Sequence, residues 1–523
     1  MPARLGMRSP AEDVRVTAFL KDLTRRLGLA ALAALALCTS LSLADAQAPT
    51  SSRPSVAVLP LENRDAGQAF FAEGMADEIA AALSRVPGLD VVARSSSFQL
   101  RSGNSDLRSV GQSLNATHLV QGTAQLAGDR VRFDLRLVKS SDGTELWSEN
   151  FYTALVNVFD LEREIATRIA AALAVPVPPG DELVPNRIRD TDAYLDFLRA
   201  KVTARPRGAA ALANAAVLLE EVLRREPNFA PAAAMLAYSY ALTPLFAPSL
   251  RGGRPEEERK IVEQTVPRSD ALAKRATTLD PKSADAFVAL AYAQLVQRKM
   301  LAAEDAFKQA LALNPNQADG LHGYSQLLAA LGRIKESLAM REHLQRLEPF
   351  IVNYTADTAE IYWLDGDADK AIAMLAPFRP GRTLELALVL AAAGHYAEAA
   401  AAIREMPASN YPPGMTEAAA KILESAPAKT VAPEALPRIG NMSFAYLHVG
   451  APERVLEFYQ DEVRGDYFQP ISATWFWHPS YAPVRKTERF KRVVSDLGLV
   501  AYWRARGFPP QCRPYGETDF RCD

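Results

Sequence analysis

The sequence predicts an α+β protein in which a small mixed α/β domain is followed by an all-α superhelical solenoid. Three observations carry that prediction. Pro281, Pro315 and Pro349 stand 34 residues apart and end the same phrase: Leu279-Asp280-Pro281, Leu313-Asn314-Pro315 and Leu347-Glu348-Pro349. Proline disfavours helical geometry in the residue before it, so each phrase marks a helix end, and a period of 34 residues punctuated in this way belongs to a two-helix repeat. Before residue 175 the apolar period is two instead, as in Val131, Phe133, Leu135 and Leu137, which describes half-buried strands. Between the two regimes lies Val175-Pro176-Val177-Pro178-Pro179-Gly180-Asp181, a proline-rich stretch that reads as a stiff linker.

The implied organisation is a leader at 1–48, an α/β domain at 49–175, the linker at 176–189, helical repeats at 190–465 and an aromatic-rich carboxy-terminal cap at 466–523. A chain of 523 residues is long enough for two or three domains. Hydrophobic residues at 49% suffice for real cores, and a formal net charge of -2 provides no electrostatic footprint for nucleic acid.

In the leader, Lys21, Arg25 and Arg26 precede an uncharged apolar run at 27–44, and Ala44-Asp45-Ala46 and Ala46-Gln47-Ala48 both offer small-residue cleavage sites. A basic flank, an apolar run and a small-x-small ending describe a secretory signal peptide. The run also leaves open an uncleaved amino-terminal membrane anchor. Either option places the rest of the chain in the periplasm, free or facing it from the inner membrane.

In the α/β domain, 55–61 reads as a buried strand and 70–86 as an amphipathic helix stopped by Pro87-Gly88; 89–93 is a second strand and 106–116 a second helix. Three strands follow at 118–126, 130–138 and 145–152, with turns at Gly128-Asp129 and Asp142-Gly143, and a helix at 159–173 closes the domain. The order βαβαβββα gives a small mixed sheet with helices packed on it. Gly67, Gly74 and Gly88 form no phosphate-binding loop. Glu73, Asp77 and Glu78 are expected to favour the start of their helix electrostatically. Arg94 with Ser95, Ser96 and Ser97 reads either as an anion site or as a polar loop.

In the repeats, Phe287, Leu290 and Ala291 share one stripe of a first helix, and Ala303, Phe307 and Ala310 one stripe of a second, with the turn near Lys299. Leu321, Gly332 and Pro349 continue the pattern, as do Ala359, Tyr362, Gly366 and Ala371; upstream, Pro227 closes a unit and Leu236, Ala237 and Tyr240 open the next. The stretch resembles a tetratricopeptide (TPR) repeat, departing from it at Ala291 and Gln294, where glycine and tyrosine are usual. One helix pair cannot bury its apolar face alone, so several must stack. After Pro349 the period loosens, and 406–437 reads as one degenerate pair or a long connection.

A second resemblance rests on Val56-Ala57-Val58-Leu59-Pro60, Phe71-Ala72-Glu73-Gly74-Met75, Val92-Ala93-Arg94-Ser95-Ser96-Ser97-Phe98, Leu119-Val120-Gln121-Gly122 and Glu145-Leu146-Trp147-Ser148-Glu149. In that order these are similar to the TolB-like amino-terminal domain that precedes TPR arrays in many bacterial proteins. Relatives often carry a winged-helix or a class III nucleotide cyclase domain in front of this module. Only about fifty residues precede it here, so neither transcription control nor cyclase activity is expected.

The tail concentrates Phe468, Trp475, Phe476, Trp477, Tyr481, Phe490, Tyr502, Trp503 and Phe508, as an irregular unit capping the last helix of the solenoid. Cys512 and Cys522 are the only cysteines outside the leader. In an exported chain they suggest a disulfide, and in the cytosol two thiols. No cysteine or histidine spacing supports zinc, and no nucleophile-base pair is evident, so no cofactor and no enzymatic activity are expected.

The expected function is therefore a non-enzymatic scaffold of the bacterial cell envelope that binds a partner protein or peptide, and not nucleic acid, in the groove of the array. The repeat register places Tyr238, Tyr292, His322, Gln326, Glu360 and Trp363 on that face, mixing aromatic anchors with hydrogen-bonding groups. The alternative is an envelope sensor whose TolB-like domain binds a small ligand and relays it to the array.

Overall fold

The structure is a computed structural model that describes residues 53–63, 66–92, 94–97, 106–180, 182–246, 254–407 and 410–523. The leader, including the run at 27–44, lies outside the described residues, as does 247–253, within the unit that Leu236, Ala237 and Tyr240 open. Among the described residues no helix is long and apolar enough to cross a membrane.

The amino-terminal region follows the order read from its sequence: β1 (Ser55–Val58), α1 (Ala69–Ser84), β2 (Asp90–Val91), α2 (Leu107–Leu114), β3 (His118–Ala127), β4 (Arg130–Lys139), β5 (Glu145–Ala154) and α3 (Val158–Ala172). The sheet order is β2-β1-β3-β4-β5, with β1 parallel to both neighbours and β3, β4 and β5 an antiparallel meander. Alternation explains the faces: Val131, Phe133, Leu135 and Leu137 are buried under α1 and α3, while Arg130, Arg132 and Arg136 point away and are exposed. Phe71, Met75, Ile79 and Leu83, four apart on α1, form the stripe that meets them.

The array is α4 (Thr191–Ala204), α5 (Ala209–Arg225), α6 (Ala230–Leu242), α7 (Pro255–Leu279), α8 (Ala284–Val296), α9 (Met300–Leu313), α10 (Ala318–Ala330), α11 (Ile334–Leu347), α12 (Val352–Leu364), α13 (Ala368–Leu375), α14 (Thr383–Ala392), α15 (Tyr396–Arg404) and α16 (Met415–Ser425). Successive helices from α8 to α13 keep the 34-residue period in their starting positions. The turn inside each pair needs a left-handed residue: Gly332 and Gly366 provide it, and Arg298 takes φ 61 at the equivalent place. Among the described residues of the stretch at 406–437, open in the sequence, there is one α-helix, α16, followed by a connection that includes a 3-10 turn at Pro433–Ala435.

Three expectations need correction. The proline-rich stretch does not hold two bodies apart, because Val175, Leu183 and Val184 are buried in a core that runs from the sheet into α4, α5 and α6. Gly74 shows how close the approach is: a Cβ there would sit 2.8 Å from Leu198 Cβ on α4. Glu73, Asp77 and Glu78 lie beyond the first turn of α1, which begins at Ala69 and has no acidic residue there, so they do not serve the helix start. Arg205 reaches Glu73 at 2.5 Å and Asp77 at 3.4 Å, and Lys201 pairs with Glu78, so α1 is clamped to α4 by charge as well as packing.

The third correction concerns the tail. After α17 (Leu456–Arg464) come short helical turns at Pro470–Thr474, Trp475–Trp477, Pro479–Tyr481 and Ala482–Arg485, then α18 (Glu488–Asp496), α19 (Leu499–Arg506) and a hairpin of β6 (Cys512–Tyr515) and β7 (Asp519–Cys522), closed by the disulfide between Cys512 and Cys522. This segment does not sit only at the end of the array. It folds back onto α9 and the end of α10, through contacts between residues 147 to 198 apart in the chain. Trp477 Nε1 donates to Ala330 O at 3.0 Å and Trp503 Nε1 to Leu331 O at 3.3 Å. Those carbonyls end α10 and have no partner in the next helical turn, so two indoles complete the helix end. The seat is tight, since a Cβ on Gly332 would meet Pro509 Cβ at 2.4 Å.

Candidate binding recess on the inner face of the array

The first helices of successive pairs, α6, α8, α10 and α12, form one face of the array, and all six residues expected on the groove lie on these helices. The structure divides the six. Tyr292, Glu360 and Trp363 are at most 3% exposed and serve as packing and interior groups, so their expected availability to a partner is corrected. Trp363 stacks on His478 at 4.1 Å, and Glu360 accepts from Trp475 Nε1 at 3.0 Å, both from the tail. Tyr238, His322 and Gln326 belong instead to a polar network that is open at one side.

At its centre is Asp319, at the start of α10. Its Oδ1 accepts from Arg207, from Tyr238 OH at 3.1 Å and from Tyr354 OH at 3.1 Å. Burial pushes this carboxyl up, but the Arg207 guanidinium and the hydrogen bonds outweigh it and hold the carboxyl below its ordinary range. The same burial, reinforced by the Asp319 charge, pushes the Tyr238 hydroxyl well above its ordinary range, so it remains a donor. Arg207 is placed by the turn between α4 and α5, where it takes φ 55.

Behind Asp319 lies a second layer. Arg341 Nη1 donates to His322 Nδ1 at 3.0 Å and approaches Asp357 at 3.4 Å, while Gln326 Nε2 donates to Asp357 at 3.1 Å. A guanidinium only donates, so His322 Nδ1 is the acceptor and the ring proton sits on Nε2. Burial, followed by the charges of Arg341, Arg207 and Arg382, holds His322 neutral, well below its usual range. A third layer joins Arg382 to Glu385 at 2.9 Å and to Asn353. Beside it, burial and then the carboxylates of Glu385 and Asp357 push the Glu360 carboxyl well above its ordinary range.

Side-chain exposures of 26% for Arg207, 25% for Asp319 and 22% for Arg382, against 0% for Arg341, describe a recess with an accessible rim and a buried floor. Each rim guanidinium is matched by a carboxylate. Among the described residues no group of three His, Cys, Asp or Glu side chains is placed to hold a metal ion.

Sequence reasoning missed Arg207, Asp319, Tyr354, Arg341, Asp357 and Arg382. One signal was available. At the repeat position where Phe307 and Leu375 fill the seam, the middle unit has Arg341, and where Leu338 and Ile372 stand, the unit before has Glu304. A charge at a core position of a repeat marks a place where something other than the next helix must satisfy it. Glu304 accepts from Tyr324 OH and Tyr502 OH, each at 3.0 Å, and from Arg333 at 2.8 Å, so it is one anchor of the tail.

No protein-family model matches the chain. Over 190 residues it is 32% identical to "Putative adenylate cyclase 3" of Rhizobium meliloti (strain 1021), a match that covers 36% of this chain and 32% of that protein. The chain thus spans about a third of the length of the curated relative it matches. This finding corrects the expectation of a non-enzymatic protein, because the sequence it shares belongs to a protein named as a cyclase. Motif absence within this chain was too narrow a ground for that expectation. Among solved structures, the chain is similar to TTC0263, a thermophilic TPR protein of Thermus thermophilus, at 17% identity over 38% of this chain and 99% of that one, with a TM-score of 0.30. It is also similar to YrrB, described as a TPR protein with an unusual peptide-binding site, at 17% identity, 37% and 90% coverage and a TM-score of 0.25. The human IFIT1 dimer matches at 14% identity, 66% and 75% coverage and a TM-score of 0.38.

Proposed function

We propose that this protein is a helical-repeat scaffold that holds a short segment of a partner protein at the recess around Arg207 and Asp319. The observation that carries the reading is convergence. Side chains from α6, α10 and α12, together with Arg207 from an earlier turn, meet in one network with an open rim, while the chain's own tail occupies the same face at Glu360 and Trp363. A scaffold so arranged offers a defined slot and not a continuous groove. The amino-terminal region is taken as TolB-like on the motifs given above. The basic, apolar and small-residue leader and the Cys512–Cys522 disulfide support a periplasmic location.

Site-specific photocrosslinking in intact cells tests the reading. A benzoylphenylalanine at the half-buried Gln326, behind the rim, or Asn353, beside Arg382, is expected to trap a discrete protein band, and one at the exposed Val217, on the outer side of α5, is not. Asp319→Asn together with Arg207→Ala should reduce the trapped band at least tenfold while the circular dichroism is unchanged. Equal trapping at Val217 and Gln326, or a band indifferent to the double variant, overturns it.

A further inference from the structure

The geometry points to a second interaction surface, the free edge of β5, which takes an extended acidic segment of a partner as a sixth strand of the sheet. This surface lies on the α/β region and is independent of the recess. β5 is the last strand in the order β2-β1-β3-β4-β5 and runs for ten residues, Glu145–Ala154. Leu155 N donates to Asp129 O at 2.7 Å, and the antiparallel register pairs Phe133 with Phe151 and Asp134 with Asn150. In an antiparallel ladder the bonded pairs alternate, so Ser148, Asn150 and Tyr152 turn their N–H and C=O groups away from β4. Nothing among the described residues receives them.

Natural edges are usually blunted by proline, by lysine or by a covering element. β5 has neither residue type; its two charges are Glu145 at its start and Glu149, which alternation puts on the face opposite Ser148 and Asn150, where it accepts from Trp147 Nε1 at 3.2 Å, and its outer side chains are open: Leu146 is 41% exposed and Tyr152 65%. A strand added here would lay its alternate side chains beside Leu146, Ser148, Asn150 and Tyr152. The face behind those residues decides the partner's chemistry. Register places Arg132 opposite Tyr152 and Arg136 opposite Ser148 on β4, with Arg130 one pair further on. Arg130 lies over the Tyr152 ring at 4.2 Å, and Asp134 answers only Arg132, at 3.2 Å. On β4 itself three guanidinium groups stand against one carboxylate; Glu62, bridged to Thr123 on the far side of β3, lies on the same face but away from the edge, so the part of the face beside β5 is positive and within reach of acidic side chains on a sixth strand. The contacts would combine main-chain bonds, which give affinity, with arginine pairing, which selects acidic residues at alternate positions.

The test uses the full chain and two fluorescein-labelled peptides, (Thr-Glu)5 and (Thr-Lys)5, read by fluorescence anisotropy. The Glu peptide is expected to bind at least tenfold more tightly than the Lys peptide. Asn150→Pro removes only an outward N–H, a place where an edge strand tolerates proline, and should weaken the Glu peptide at least tenfold with an unchanged thermal transition. Should that variant unfold, Arg130→Glu with Arg136→Glu decides the matter, by reversing the preference toward the Lys peptide. No binding of the Glu peptide, equal binding of both peptides, or an unfolded Asn150→Pro accompanied by an unaltered preference in the arginine variant overturns the proposal. So does a dimer that Asn150→Pro dissolves while neither peptide binds, or an oligothymidylate that binds the arginine face and is indifferent to Asn150→Pro.

Discussion

The array is covered by two very different partners from its own chain, and the seams respond to protons with opposite sign. On one side the sheet region is joined through charge and buried hydroxyl groups: Lys201 to Glu78, Arg205 to Glu73, Tyr194 OH to Glu162, and Arg85 to Asp280 at 3.3 Å. Ser96 N also donates to Glu348 at 2.6 Å, so the acidic residues of the repeat phrases, Asp280 and Glu348, face the sheet region. On the other side the tail is held mainly by aromatic burial, with indole N–H groups on helix-end carbonyls and Tyr502 on Glu304. Burial and then the Glu78 charge push the Glu162 carboxyl up to about 8 from 4.5. At Glu304 burial works in the same direction, but donors from Lys308, Arg333, Tyr324 and Tyr502 outweigh it and bring the carboxyl down to about 2. A polar seam whose acid is under-supplied with donors prefers its proton. One with surplus donors prefers the charge.

The largest effect is expected from breaking the aromatic seam. Trp477→Ala empties a site that is 2% exposed and frees the Ala330 carbonyl, which should cost ~3–5 kcal/mol. Limited proteolysis should then cut the tail well before the sheet region. Simultaneous release of both would mean that the two seams form one cooperative unit. Next in size, Cys512→Ser with Cys522→Ser opens a loop with a sequence separation of 10 and should lower stability by roughly 2–3 kcal/mol. A reducing agent should reproduce the loss in the parent and have no effect on the variant, as measured by urea unfolding.

The smallest effect is the sharpest discriminator. Glu162 has a folded value above its unfolded one, so its native form binds the proton more tightly; stability is fully present below about 4.5 and declines as pH rises toward about 8. Glu304 is the reverse: its contribution is present above about 4.5 and is lost as pH falls toward about 2. Glu162→Gln should therefore flatten the alkaline slope, with a gain of roughly 1–2 kcal/mol at pH 8, and leave the acid slope alone. Glu304→Gln should flatten the acid slope and lower stability at neutral pH by roughly 1–3 kcal/mol. Thermal melts across pH 3–9 decide it, and parallel curves for the two variants would remove the contrast.

Much of the fold was legible because it is local. The proline phrases located the ends of α7, α9 and α11, the alternation in β4 named its buried face, and the register placed six residues on the right helices. The site was only partly legible. The period tells which way Trp363 and Glu360 point, yet says nothing of the tail that covers them. Arg207 entered the recess from a turn that belongs to no repeat stripe.

By itself the sequence determined what each segment is and which side of it is apolar, since periods of 2.0 and 3.6 are properties of a single strand or helix. Only the tertiary structure decided what each apolar side meets. Trp503 finds Leu331, and Tyr194 finds Glu162, through contacts between residues far apart in the chain. Such pairings depend on shape and on the satisfaction of buried polar groups once both segments exist, which no local pattern encodes.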